Sequence, residues 1–195
     1  MFDYTKGKYQ RNSLSWLVGA ILAFLETCRD MGSSFYVITE THDEKSIHSG
    51  VYYYISSFIT LDLGDTFYVK LVTPDSAKRL HFQWEIVASG ILETNFYEGA
   101  SGGMTGGANV TPINSDRNST NTSDVIITAG VTVATTKGTK IDSVKVGGEG
   151  FKTVVGGSAS RSDEILLKQN TTYFREYISG SDDNIITFRA KWIEI

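Results

Sequence analysis

The sequence has almost no cysteine and almost no proline. Its 195 residues contain one cysteine, Cys28, and two prolines, Pro74 and Pro112. A single thiol excludes an internal disulfide and any multi-cysteine zinc centre. A surplus of positive charge is also missing: 18 Lys and Arg stand against 22 Asp and Glu, a net charge of −4. That balance argues against nucleic-acid backbone binding as the main task, because phosphate contact needs clustered Lys and Arg. Long apolar runs are absent. The best, residues 14–25 (LSWLVGAILAFL), falls short of the about 20 residues that cross a bilayer. No G-x-x-x-x-G-K-[ST] phosphate cradle and no G-x-S-x-G nucleophile elbow occurs.

What remains is an ordinary globular balance, 41% hydrophobic and 21% charged, which argues against a disordered chain. A chain of this size buries roughly 70% of its unfolded surface and needs no covalent or metal staple. Aromatic residues reach 12%, and β-branched residues are plentiful, so sheet is favoured over helix.

Two segments follow in order. Residues 1–32 read as an N-terminal arm and an apolar helix for anchoring or oligomerisation; residues 33–195 read as a β-sandwich domain, with the boundary near 32–45. The arm carries Phe2, Tyr4 and Tyr9. In the helix, Asn12 or Ser13 supplies the cap and Gly32 the stop. Leu14, Leu17, Val18, Ile21, Leu25 and Cys28 form one stripe, while Trp16, Gly19, Ala20 and Ala23 leave the opposite side apolar as well. A helix apolar nearly all round is buried on more than one side, which points to a partner chain. A signal-peptide reading competes, since Lys6, Lys8 and Arg11 precede the apolar core, but no small-x-small cleavage site follows. Lipidation at Cys28 is opposed by Glu26 and Thr27 before it; on the apolar stripe the thiol reads as inert.

Beyond residue 35 the period changes to two. Strands are predicted at 51–60, 66–73, 80–88, 91–98, 124–136, 139–146, 164–168, 171–178 and 184–195. The 80–88 and 91–98 segments read as a hairpin across Ser89-Gly90, and Gln169-Asn170 reads as a second tight hairpin. Residues 99–109 read as a glycine-rich loop and 111–123 as a long polar loop. Gly130 marks a bend or bulge. Eight or nine short strands with turn signals indicate an all-β fold, a jelly-roll-like antiparallel β-sandwich of two four-stranded sheets.

Chemistry is sparse. His42 and His48, near Asp43 and Glu44, can offer metal ligands, but their spacing matches no helical i, i+4 pair, and the segment reads as a surface loop. His81 falls on the polar side of its strand and reads as exposed. The pairs Asp163-Glu164 and Asp182-Asp183 sit at turns and read as solvated. Trp84 and Trp192 lie on alternating strands and read as core. No catalytic residue, no metal ligand and no cofactor is assigned.

Four stretches carry a family resemblance: THDEKSIHSG (41–50), KRLHFQWEIVASGILETNFYEG (78–99), TPINSDRNSTNTS (111–123) and EILLKQNTTYFREYIS (164–179). The last two are the most specific, because packing alone seldom keeps long polar loops similar. From about His42 to the C-terminus the chain resembles the head decoration (cement) proteins of tailed bacteriophages. His42, His48, Gln169 and Asn170 are its family-like loop residues. The resemblance implies a non-enzymatic virion protein that binds the outer head surface, bridges subunits of the major capsid protein, and is assembled in the host cytoplasm. It implies neither a nucleic-acid nor a membrane partner. The polar loop fits this role physically, because Asn, Ser, Thr and Asp order such a segment by side-chain to backbone bonds. Arg117 adds a planar fork that can clamp a carboxylate. Candidate interface residues are therefore Phe2, Tyr4, Tyr9, Trp16, Asn114, Arg117, Asn118 and Asn121. Self-association is also expected, since closed homo-oligomers are the common solution for such surfaces; a trimer fits local threefold positions on a capsid. Two other functions compete: a phage tail, fibre or carbohydrate-binding receptor module, and a metal-dependent or hydrolytic enzyme using His42 and His48.

Overall fold

The first described element is a helix where a loop is expected. Helix α1 spans His42–His48. Thr41 caps it: its hydroxyl accepts the Glu44 N–H at 3.2 Å, while the Glu44 carboxylate accepts the Thr41 N–H at 2.7 Å. This reciprocal capping box satisfies two otherwise orphaned donors and overrides the loop reading of His42 and His48. The structure, a computed structural model, describes residues 40–147, 155–157 and 164–195. Thr41–Ile195 forms one unit. The expected arm and apolar helix, with Phe2, Tyr4, Tyr9 and Trp16, lie outside the described residues.

Fourteen strands follow among the described residues: β1 (Tyr52–Leu61), β2 (Thr66–Val72), β3 (Leu80–Ala88), β4 (Leu92–Glu98), β5 (Ser101–Gly103), β6 (Ala108–Val110), β7 (Ile113–Asn114), β8 (Ile126–Ala129), β9 (Ala134–Thr136), β10 (Thr139–Val146), β11 (Val155–Gly157), β12 (Ile165–Leu167), β13 (Thr172–Ser179) and β14 (Asn184–Glu194). Twelve of them build two six-stranded sheets, and β5 and β9 form a two-stranded ribbon. One sheet runs β11-β3-β14-β1-β7, with β12 also on β3; the other runs β10-β4-β13-β2-β8-β6. Every pairing is antiparallel. The long strands are nested: β1 pairs β14, β2 pairs β13, β3 pairs β11 and β12, and β4 pairs β10. First with last, second with penultimate and so inward is the strand order of a jelly roll.

Nesting corrects both predicted hairpins. β3 and β4 lie in different sheets, and so do β12 and β13. Local dipeptides did not decide this; distant partners did. At the first crossing Asn184 holds the corner, its Oδ1 accepting the Gly90 N–H and its Nδ2 donating to the Ile91 carbonyl, both at 2.8 Å. At the second, the Asn170 N–H donates to the Pro74 carbonyl at 3.0 Å and the Thr171 N–H to Thr73 Oγ1 at 2.9 Å. The predicted 124–136 strand is two, β8 and β9, because Gly130 adopts φ +75° between them. The glycine-rich segment is not a plain loop either. It forms β5, which pairs β9, and β6, which pairs β8. Each of the two main sheets is therefore wider than the four strands expected.

Strand alternation places the core. On β3, Leu80, Phe82, Ile86 and Ala88 are buried; on β14, Ile186, Phe188, Ala190 and Trp192. Aromatic rings run from one sheet to the other: Tyr53 to Trp192 at 6.1 Å, Trp192 to Phe82 at 6.4 Å, Phe82 to Phe96 at 6.0 Å, and Phe96 to Tyr173 at 5.4 Å between centroids. One cation sits inside. Arg175, 3% exposed, lies 5.1 Å from the Trp84 ring and 5.3 Å from the Phe96 ring. Its Nε donates to Thr94 Oγ1 at 2.9 Å and its Nη2 to Asp142 at 3.2 Å. Burial lowers its pKa, and these partners offset the cost. A smaller apolar cluster lies beneath the β5–β9 ribbon, where Met104, Val131 and Ala134 cover Tyr97 and Phe174.

Replacing Phe96 with Ala should cost about 3–5 kcal/mol in chemical denaturation, the usual loss for a fully buried aromatic. Phe58, 71% exposed, should tolerate Ala within about 0.5 kcal/mol.

Three buried phenols generate a prediction about pH. Burial raises the pKa values of Tyr97, Tyr173 and Tyr177 above the ordinary 10.0; acceptance by Glu176 and Glu98 adds to the first two, and Tyr173 is pushed up to about 12. A phenol held protonated in the folded chain stabilises it fully below its unfolded pKa, and that contribution is lost as pH rises through the folded value. Phenolate absorbance from these three should therefore emerge only above the ordinary tyrosine range, together with alkaline unfolding. Ionisation of all tyrosines near the ordinary value, with the fold intact, would contradict the burial described.

Candidate functional site

The polar segment 111–123 is anchored at two points, Gly50 and Glu194, each of which also takes a hydrogen bond from the polar tip of a core aromatic, Tyr53 or Trp192. At one end the Gly50 carbonyl accepts three donors: Tyr53 Oη–H at 3.2 Å, Asn114 Nδ2 at 3.0 Å and Asn121 Nδ2 at 3.2 Å. Burial and nearby Glu194 raise the Tyr53 pKa, so its phenol remains a donor. Gly50 itself has φ +66°, and a Cβ there would lie 2.3 Å from Ser119 Oγ. Only glycine combines that backbone with that approach. At the other end Trp192 Nε1 donates to Glu194 at 2.9 Å and lies 3.2 Å from Ser123 Oγ. The Ser123 hydroxyl donates to Glu194 at 2.5 Å. Lys78 closes this end through Asp124 at 2.6 Å.

Between the anchors the segment bonds to itself. Asn114 Oδ1 accepts the Asp116 N–H at 2.9 Å, Asp116 Oδ1 accepts the Asn118 N–H at 2.9 Å, and Ser119 Oγ accepts the Asn121 N–H at 3.2 Å. These are the local side-chain to backbone bonds expected of such a composition. The consequence is a loop ordered before any partner arrives.

The loop divides the predicted interface residues by role. Asn114 is 8% exposed and belongs to β7, paired with Tyr53 of β1. It is the anchor of the loop and is not available to a partner, a correction to its place in the interface. Asn121 is exposed, but its amide is committed to Gly50. Arg117 and Asn118 are exposed, and the Arg117 guanidinium makes no ion pair with another described residue.

The other candidates are dispersed. His42 and His48 sit at opposite ends of α1 and are exposed. The His42 ring lies 6.3 Å from that of His81. His81 is half-buried and bonds Glu164 through Nδ1, where exposure was expected. Among the described residues no group of three or more His, Cys, Asp or Glu is placed to hold a metal ion, and no helix is long and apolar enough to cross a membrane. Gln169 and Asn170 form the corner between β12 and β13, with Asn170 at φ +46°. Asp182 and Asp183 lie at a turn, where Asp182 accepts the Leu63 N–H at 3.1 Å.

Sequence reasoning missed Gly50, Tyr53, Ser123 and Glu194 as the supports of this loop. Their bonds to the loop span many residues of chain, Gly50 to Asn114 and Asn121 and Glu194 to Ser123, so no local pattern marks them. Comparison with family models, with curated proteins and with solved structures found no match.

Replacing Asn114 with Ala should cost about 1–3 kcal/mol, because it strips partners from buried groups. Replacing Arg117 with Ala should change stability by no more than about 0.5 kcal/mol. Thermal and denaturant unfolding of both variants checks the division; a large loss at Arg117 would make it structural.

Proposed function

We propose that the chain is a non-enzymatic virion structural protein, a decoration protein that binds the outer surface of a phage head and bridges coat subunits. The observation that carries this reading is the pre-ordered polar loop 111–123, whose exposed Arg117 makes no ion pair among the described residues. Such a loop loses little conformational freedom on docking, so more of its contact energy becomes affinity. A guanidinium suits a carboxylate on a neighbouring coat subunit, where its fork makes two charge-assisted bonds. The jelly roll supplies a stiff frame, and it hosts many functions, so the loop and not the fold supports the reading. The resemblance of 41–50, 78–99, 111–123 and 164–179 to head decoration proteins points the same way. The partner is then the major capsid protein, with a second contact to other copies of this chain. Binding to the assembled shell and not to its dissociated subunits stabilises the shell by mass action.

Purified heads lacking the protein test this directly. The full chain should bind them saturably. Arg117→Ala should weaken binding by about tenfold or more while its thermal unfolding stays unchanged. Equal binding by the variant would remove the loop from the interface, and failure of the wild-type chain to bind heads would refute the reading.

A further inference from the structure

Strand β1 carries an edge that its sheet does not close. Its outer side pairs with β7 only opposite Tyr53 and Tyr54, so among the described residues no strand lies beside 55–61 on that side. Backbone direction alternates along an antiparallel strand. The Val51 carbonyl accepts the Glu194 N–H on the β14 side, and the Tyr52 carbonyl accepts the Ser115 N–H on the other. Ser56, Phe58 and Thr60 follow Tyr52 in this alternation and point their N–H and C=O groups out of the open edge. All three residues are exposed. Folded proteins protect such an edge by brevity, charge or a bulge. Other edges here do so. β10 carries Lys140, Asp142 and Lys145, with a bulge between Lys140 and Asp142. β6 and β7 are three and two residues long. Residues 51–61 hold no charge, no proline and no glycine.

We infer that this edge is an interface between two copies of the chain, β1 against β1 across a two-fold axis at Phe58. The sequence around Phe58 is self-complementary. An antiparallel copy in this register sets Ser56 opposite Thr60, Phe58 opposite Phe58 and Thr60 opposite Ser56. Each outward N–H then meets an outward C=O. Hydroxyl faces hydroxyl and ring faces ring, both favourable cross-strand pairs. Ile55 falls opposite Leu61 and Ser57 opposite Ile59, and no charge opposes a like charge. One patch meeting itself is the isologous geometry of a closed dimer. The β10 edge is not complementary in this way: paired with itself end to end, it sets Lys140 against Lys145. The seam is short. Residues 55–61 supply far fewer than the about 20–30 residues a side of a standard interface, so the dimer is weak. The inference does not depend on the docking reading, since it uses no exposed residue of 111–123.

Sedimentation equilibrium of the full chain from about 1 μM to about 1 mM tests this, with amide exchange read by NMR at both extremes. The chain should pass from monomer to dimer with Kd about 100 μM, and exchange at Ser56, Phe58 and Thr60 should slow about fivefold at the high concentration. Phe58→Lys sets two ammonium groups together at the axis and should raise Kd about tenfold or more, while Arg117→Ala should leave it unchanged. A chain still monomeric at about 1 mM, or an oligomer in which those three amides exchange as fast as in dilute solution, would overturn it whatever the variants do.

Discussion

Two sheets become one body here because aromatic rings bridge them. The succession Tyr53, Trp192, Phe82, Phe96 and Tyr173 passes through β1, β14, β3, β4 and β13, crossing from one sheet to the other between Phe82 and Phe96. Large rings bury much apolar area with few torsions to freeze, so they dominate the energetics of a core. Arg175 is tolerated inside because Trp84 and Phe96 face its guanidinium and Thr94 and Asp142 accept its hydrogen bonds.

The same rings reach outward with their polar ends. The hydroxyl of Tyr53 bonds the Gly50 carbonyl, and the indole N–H of Trp192 reaches Glu194 and Ser123. Core packing is thereby coupled to the geometry of the 111–123 loop. A segment rich in Asn, Ser, Thr and Asp would otherwise sample many conformations. Held at both ends, it presents Arg117 and Asn118 from a fixed base.

Much of this fold was legible from periodicity. Leu80, Phe82, Ile86 and Ala88, and later Ile186, Phe188, Ala190 and Trp192, alternate cleanly, and all are buried. Strand nesting was legible only as a class. Whether Ser89-Gly90 or Gln169-Asn170 closes a hairpin or crosses between sheets depends on Asn184 and Thr73, residues far away in the chain. Helix α1 was legible through the capping-box spacing of Thr41 and Glu44. Within the polar loop, composition could not separate Asn114 from Arg117. Both are polar and lie three residues apart, yet one anchors the loop from β7 and the other faces solvent. Burial of an amide is decided by what lies opposite it, here the Gly50 carbonyl, and that is a tertiary fact.

The proposed role for this frame is to hold loop 111–123 against the subunits of a phage head. The most direct measurement is the number of copies of the protein per virion relative to the major coat protein, by quantitative mass spectrometry of purified particles. The account predicts hundreds of copies in a simple ratio to coat. A handful of copies, or none, would contradict it.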